Sequence, residues 1–487
     1  MTERVQQVLG ELVARFGSDV TEDPRRLEAL LRDLIGQDRQ AIFLLVAAAR
    51  ERVPERLTGS GGSLPPPLLV SALARDLQQG LGLAEESARW AVQSWAVALG
   101  IVSAAGPGSP TVMSTVTAPQ APAAGVIVVA ALGEADYRTI GAALTAAKPG
   151  DRIMVRPGVY RESLVLVKPV EIAGDGSRDE ILLVSGDEAC LLIRTDNARV
   201  RGLTLRRGPG DSTYSTIEIE RGSGLVVEEC DISSDSRSCI AIHGSGSFAV
   251  IRRCDIHDGE ESGVYVHDNA RGMIEDCDIW GNTLAGVVTE SGGNPTVRGC
   301  RIHDGQAGGV FALDNGRGTF TDCDIFANAL AGVEVKTGSD PTMRNCRIYS
   351  SKTGGVFAQE NGRGTFTDCD IYGNALAGAE IKTGADPTVR DCRLHDGKAS
   401  GIFVQENGRG TIRDCEITGH VLAGVETKTG GDPAVRACRI NNNGGSAIFV
   451  NEGGIGSFED NDLSGNRLGA WDIDRNSKIR EARNREY

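Results

Sequence analysis

Nine evenly spaced cysteines constrain this chain more than any other feature. Cys254, Cys277, Cys300, Cys323, Cys346, Cys369, Cys392, Cys415 and Cys438 follow one another at intervals of 23 residues, and Cys230 precedes them by 24. The stretch starting at Asn361 nearly repeats the one starting at Asn315, 46 residues earlier, so two versions of the unit alternate. An apolar residue stands two places after each cysteine, from Ile256 through Leu394 to Ile440. Small or β-branched residues stand ten and twelve places after, as in Val333 with Val335 and Ile402 with Val404. Short period-2 runs are short strands with one buried face, and the Gly, Asn and Asp clusters between them are turns. A unit this short and this turn-rich has no room for a helix. A fixed period of strands and turns is the signature of a solenoid. The Leu-rich frame and Asn pattern of leucine-rich repeats are missing, so the expected fold is an all-β parallel β-helix of ~23-residue coils, each rising ~4.8 Å.

One thiol per coil, with no close pair, does not make a thiolate metal centre. The cysteines are expected to pack as an internal ladder of small apolar groups, and no metal or other cofactor is expected. The first residues, "MTERVQQVLGELVARF", are amphipathic and lack a long apolar core, and no stretch is long and apolar enough to span a membrane. With twelve cysteines in the chain, this points to a reducing cytoplasm. The 63 glycines suit a fold that turns every few residues, and the net charge of −15 argues against nucleic acid, which needs a basic stripe.

Residues 1–104 are a different module. "DPRRLEALLRDLI", "RQAIFLLVAAARERV", "PPLLVSALARDLQQGLG" and "LAEESARWAVQSWAVALG" carry apolar residues at helical spacing. Four or five short helices in one all-α bundle are expected. Pro24 starts one, Pro65, Pro66 and Pro67 separate two others, Gly100 closes the last, and Trp90 and Trp95 pack in the core. Residues 105–122 read as a flexible linker. The solenoid spans 123–475, opening with a capping helix over Thr139–Ala147 and strands at Arg152–Val155 and Val165–Ile172. Residues 476–487 read as a charged, frayed tail.

"YRTIGAALTAAKPGD" and "VRPGVYRE" resemble the entry of right-handed parallel β-helix proteins of the pectin-lyase-like superfamily. The coils are similar to those of carbohydrate-binding and copper-processing β-helix proteins and of certain F-box proteins. The resemblance covers about 123–475 and implies a right-handed coil. Members of the superfamily cleave, epimerise or hydrolyse acidic sugars, while others only bind or scaffold. The repeated Asp-Pro-Thr at Asp340 and Asp386 resembles half of an alginate-epimerase-like Asp-Pro-His-Asp signature, and its His-Asp half is absent from every copy.

Counted from each cysteine, residues at one offset stack into a row. At +17, arginine and aspartate alternate from Arg317 through Asp340, Arg363, Asp386 and Arg409 to Asp432, a ladder expected to pair between coils. At +11, Phe311, Phe357, Phe403 and Phe449 point outward on every second coil, with Glu334, Glu380 and Glu426 between them and Lys336, Lys382 and Lys428 at +13. Four outward rings suggest a surface for a protein partner or for self-association. At +3, His257, Trp280, His303, Tyr349, Tyr372 and His395 offer groups that could stack a glycan or a peptide. Chemistry needs a unique place, and the coils from Gly208 to Glu290 are the irregular ones. There, His243, His267 and Glu290 share the +13 row beside Asp268, a spacing that permits a weak metal site or an acid–base pair. The expected function is a non-catalytic binding scaffold with a helical adaptor. The alternative is a carbohydrate-active enzyme working at His243, His267, Asp268 and Glu290.

Overall fold

The computed structural model describes residues 3–16, 24–35, 39–51, 53–59, 70, 73–74, 77, 85–99 and 125–487. The chain divides into two compact units, Met1–Gln120 and Ala121–Tyr487. The expected linker at 105–122, the Pro65–Pro67 break, Gly100 and Asp23 lie outside the described residues.

In the first unit, helices run over Glu3–Phe16, Pro24–Ile35, Arg39–Arg50, Val53–Gly59 and Glu85–Ala98. Pro24 opens its helix, where its missing N–H would have no partner in any case. The apolar stripes meet in one core that includes Leu9, Leu27, Leu31, Leu45, Val92 and Trp95. Trp95 is fully buried, and its indole N–H donates to the Leu45 carbonyl at 3.1 Å. Trp90 is half-buried and packs against the same core.

The second unit is a right-handed parallel β-helix of about 16 turns. Its described strands form three parallel sheets of 16, 14 and 13 strands, which the chain visits in rotation. The register shifts at Ser223–Leu225 and Ser233–Ser234 in the irregular coils and holds residue for residue beyond them. Ile279 pairs with Ile302, Ile302 with Ile325 and Ile325 with Ile348. Each coil sends a strand residue inward from every sheet, as with Ile325, Val333 and Phe320, all fully buried. All twelve cysteines are unpaired and buried within this core.

A second inward row lies five places after each cysteine. Asn282, Asn328, Asn374 and Asn443 are buried there, and each accepts from a backbone N–H one coil below at 2.9–3.0 Å. Each also donates its amide to a backbone carbonyl at 3.1–3.2 Å. The ladder therefore satisfies corner amides that no strand reaches. His420 takes the same position, 2% exposed, and neither of its ring nitrogens has a partner. Burial pushes its pKa down to about 4.

The expected capping helix spans Ile140–Ala146, with the Thr139 side chain accepting from Ala142 N. Ile140 and Ala143 are fully buried on the first coils. Both helix ends are pinned by charge of the favourable sign. The Glu162 carboxylate accepts from Ile140 N at 2.8 Å and Gly141 N at 2.7 Å, and Lys168 Nζ donates to the Leu144, Thr145 and Ala147 carbonyls.

Two expectations are corrected. Val165–Ile172 is not one strand. It contributes to two, Leu164–Leu166 and Glu171–Gly174, which lie in different sheets, and Pro169, with no N–H to give a ladder, stands between them. The charged tail is not frayed. Lys478–Ala482 pairs in parallel with Ile455–Glu459 and completes the last coil, because backbone pairing needs no apolar side chain.

Candidate functional site

In the regular coils the outward rows are occupied with one another. Phe311, Phe357, Phe403 and Phe449 are all half-buried, which corrects the expectation of freely outward rings. Two of the rings lie under the lysine of the next coil. Lys382 Nζ lies 5.0 Å from the centre of the Phe357 ring and Lys428 Nζ lies 5.2 Å from that of Phe403, as cation–π contacts. The glutamates between them are also engaged. Gln359 donates to Glu334 at 3.1 Å, Gln405 to Glu380 at 3.0 Å, and Lys336 pairs with Glu334 at 3.5 Å.

The +3 row is a continuous stack from His303 through Phe326, Tyr349 and Tyr372 to His395, with ring centres 4.5–5.0 Å apart. His257 and Trp280 stack separately at 4.4 Å. Inside the stack the ring faces cover one another, so they offer edges to a ligand. Each imidazole is also held between two carboxylates. His303 meets Asp304 at 2.7 Å and Asp278 at 2.8 Å, and His395 meets Asp396 at 2.7 Å and Asp370 at 3.0 Å. Burial works against a charge on His257, yet hydrogen bonds to Asp231 and Asp258 outweigh it and raise its pKa. Asp258, Asp304 and Asp396 sit at corners with φ of 52–54°, a left-handed conformation that Asp tolerates.

The +17 charges stack in sequence register, but they do not pair as expected. Among the described residues, Arg317, Arg363 and Arg409 make no ion pair within 4.0 Å and stand exposed in the turns. The paired ladder is one place after each cysteine, where sequence reasoning did not look. Arg301 reaches Asp278 at 2.8 Å, Arg393 reaches Asp370 at 3.0 Å, and Arg347 grips Asp324. The same counting from the cysteines finds this alternation.

The irregular coils differ. The insertion after Arg207 folds back as a loop, held by the fully buried Arg207 guanidinium, which donates to the Asp187 and Ser212 carbonyls. The loop covers Glu218, leaving it 6% exposed, and Ser215 N donates to its carboxylate at 2.7 Å. His243 Nε2 lies 2.8 Å from the other Glu218 oxygen. That hydrogen bond raises the His243 pKa against the opposing effect of burial.

One coil on, His267 stacks on His243 with centres 5.0 Å apart and planes 9° apart. Its pKa goes the other way. Burial lowers it, the charge of His243 adds to that, and Asp268, 3.0 Å from Nδ1, only partly offsets both. Tyr265 stacks on the same imidazole at 4.2 Å and donates its phenol to Glu290, while burial and Glu290 raise its pKa. Glu220, beside this face, is held low by Arg194, which binds it at 2.6 and 3.2 Å.

The four expected catalytic residues, His243, His267, Asp268 and Glu290, therefore meet on one face. Glu218 and Tyr265, which sequence reasoning did not assign, complete it. Possible ligand atoms of His243, His267 and Asp268 lie within 4.8 Å of one another. Parallel stacked imidazoles, however, aim their lone pairs side by side, whereas a bound ion needs them to converge. Two neighbouring groups whose pKa values are driven apart are instead the arrangement of an acid and a base.

A solved structure of the A-module of a mannuronan C-5 epimerase from Azotobacter vinelandii is 16% identical, covering 71% of this chain and 92% of its own, with a TM-score of 0.47. The catalytic domain of a GH87 alpha-1,3-glucanase in complex with nigerose is 15% identical over 68% of this chain and 67% of its own, at 0.43. A pectate lyase is 15% identical over 56% and 76%, at 0.38. These likenesses are too loose to carry any residue's role across. The family model described as a right handed beta helix region matches residues 189–342 and 331–484. Matched over more than half its length, the chain belongs to the right-handed β-helix family.

Proposed function

We propose that the coil unit recognises a neutral glycan on the face formed by Glu218, His243, Tyr265, His267, Asp268 and Glu290, and that the two histidines supply a proton donor and a proton acceptor there. The observation that carries this reading is the opposed pKa shifts of His243 and His267 across a 5.0 Å stack. In this reading His243, whose protonated form Glu218 favours, donates to the glycosidic oxygen as the bond from that oxygen to the anomeric carbon breaks, and His267, whose neutral form burial favours, takes the proton of the water that bonds to that carbon. The surrounding carboxylates oppose a uronate and favour a sugar that presents only hydroxyls. A polysaccharide laid along the axis would advance about one sugar per ~4.8 Å coil. Twelve unpaired, buried cysteines support a cytoplasmic setting.

The second reading is a non-catalytic scaffold that presents the regular coils to a protein or glycan partner. What favours it is the in-register repetition of one surface over many coils. Incubating the full chain with neutral and acidic polysaccharides across pH separates the two. The catalytic reading expects release of reducing ends from a neutral glycan, with a bell-shaped pH profile lost in His267→Ala. Binding without turnover, unchanged in His267→Ala, favours the scaffold.

A further inference from the structure

The 46-residue alternation leaves one outward row without a partner. Seven places after the cysteine positions stand Leu284, Leu330, Leu376, Leu422 and Leu468, each 45–60% exposed. On the coils between them the same place holds Ala307, Thr353, Ala399 and Gly445. Backbone bonds keep these positions in register. Leu330 N donates to Ala307 O at 2.9 Å, Leu376 N to Thr353 O at 2.9 Å, and Leu468 N to Gly445 O at 3.1 Å. The result is a ribbon of leucine knobs ~9.6 Å apart with gaps halfway between them, about 38 Å long. Unlike the half-buried phenylalanines, these side chains stand largely open to solvent.

We propose that this ribbon is the interface of a two-fold homodimer, in which the leucines of one copy fill the gaps of the other. A two-fold axis between the Thr353 and Leu376 coils sets Leu330 on Ala399 of the second copy, Leu376 on Thr353, Leu422 on Ala307 and Leu284 on Gly445, while Leu468 falls at the rim beside Glu261. Each contact is made twice, as an isologous interface requires. The neighbouring row, one place earlier, fits the same register. Lys352 falls on Ala375 and Lys398 on Ala329, which leaves the lysines of the two copies one coil apart with no two in direct register, and at each end Glu260 meets Arg467. The area also suits a dimer. Five half-exposed leucines, Val421 and the lysine stems give roughly 600 Å² per copy, or ~1,200 Å² in total, the lower edge of specific interfaces. This proposal is independent of the glycan reading, because the ribbon lies in the turns and uses none of the residues named there.

Sedimentation velocity of the full chain over a range of concentrations tests it. The expected result is a reversible dimer. Leu330→Lys with Leu376→Lys should weaken it on the order of 100-fold or more with an unchanged melting temperature. Glu260→Arg should weaken it, and adding Arg467→Glu should restore it, which keeps the test decisive even if the leucine variant misfolds. A monomeric wild type, whatever else covers the ribbon, would overturn the proposal. So would an open polymer, a dimer indifferent to the leucine substitutions, or a charge swap that fails to restore association.

Discussion

The coils from Gly208 to Glu290 and those from Arg317 to Asp432 share one backbone but use their charges in opposite ways. In the irregular coils, Glu228 is 3% exposed and gathers Arg199, Arg252 and Arg253. In the regular coils, the Asp or Glu one place after a cysteine meets an arginine at the surface, as in Arg393–Asp370 with side chains 54% and 29% exposed. The first is a single buried knot with no copy among the described residues. The second is a surface pairing repeated with little change on every second coil. Repetition spreads stability and leaves no coil special. Irregularity concentrates it, and the same concentration creates a face where groups are burdened unequally, as with His243 and His267.

The largest expected effect breaks the buried knot. Glu228→Ala leaves three guanidiniums crowded together and should destabilise by about 3–5 kcal/mol in chemical denaturation. Burial alone would raise the Glu228 pKa, but Arg252 and Arg199 outweigh it and lower it. Its contribution is therefore present above the unfolded value and is lost as pH falls through the lower folded one. If Glu228→Ala proves no worse than a surface pair, the contrast between the two regions fails.

The next effect lies inside the regular coils, at their one departure from the asparagine ladder. His420 must stay neutral in the fold, with a pKa of about 4 against 6.5 unfolded. The unfolded chain binds the proton first, so stability falls as pH drops from ~6.5 to ~4, by roughly 3 kcal/mol in all. Burial dominates, His395 adds to it, and the Leu394 carbonyl and Asp396, which favour the charge, only partly offset them. His420→Asn should remove this acid-dependent loss and restore the bond that Gly397 N lacks beside its neighbours Gly305 and Ser351. Denaturation midpoints at pH 7 and pH 4.5 measure it, and an equal acid loss in both proteins would contradict it.

The smallest effect is at the surface. Arg347→Ala removes one rung of the paired ladder and should change stability by at most ~1 kcal/mol, less at high salt. A larger loss would mean that the ladder acts as a network and that the regular coils are less uniform than described.

Much of this fold could be read from spacing alone, because a parallel coil turns sequence offset into position. Ile302 and Phe320 point inward because every coil repeats the same turn. The +3 row stacks as counted for the same reason. Offsets give rows, however, and not reach. Nothing in the spacing says that Lys382 folds over the ring of the coil below, so the phenylalanines looked free. The tail was misjudged because Lys478–Ala482 is held by its backbone, which composition does not report. At the candidate site, His243, His267, Asp268 and Glu290 were legible as neighbours. Glu218 was not, because its burial depends on the loop that Arg207 holds, a tertiary contact with no local signal.

The central claim is that ligand contact belongs to the irregular face and not to the regular coils. Binding of the full chain to an array of immobilised neutral and acidic glycans tests it most directly, with His267→Ala/Glu290→Gln compared against Phe357→Ser/Phe403→Ser. The expected result is binding to a neutral glycan that falls more than tenfold in the first variant and is unchanged in the second. Binding lost only in the phenylalanine variant, or no neutral glycan bound at all, would contradict it.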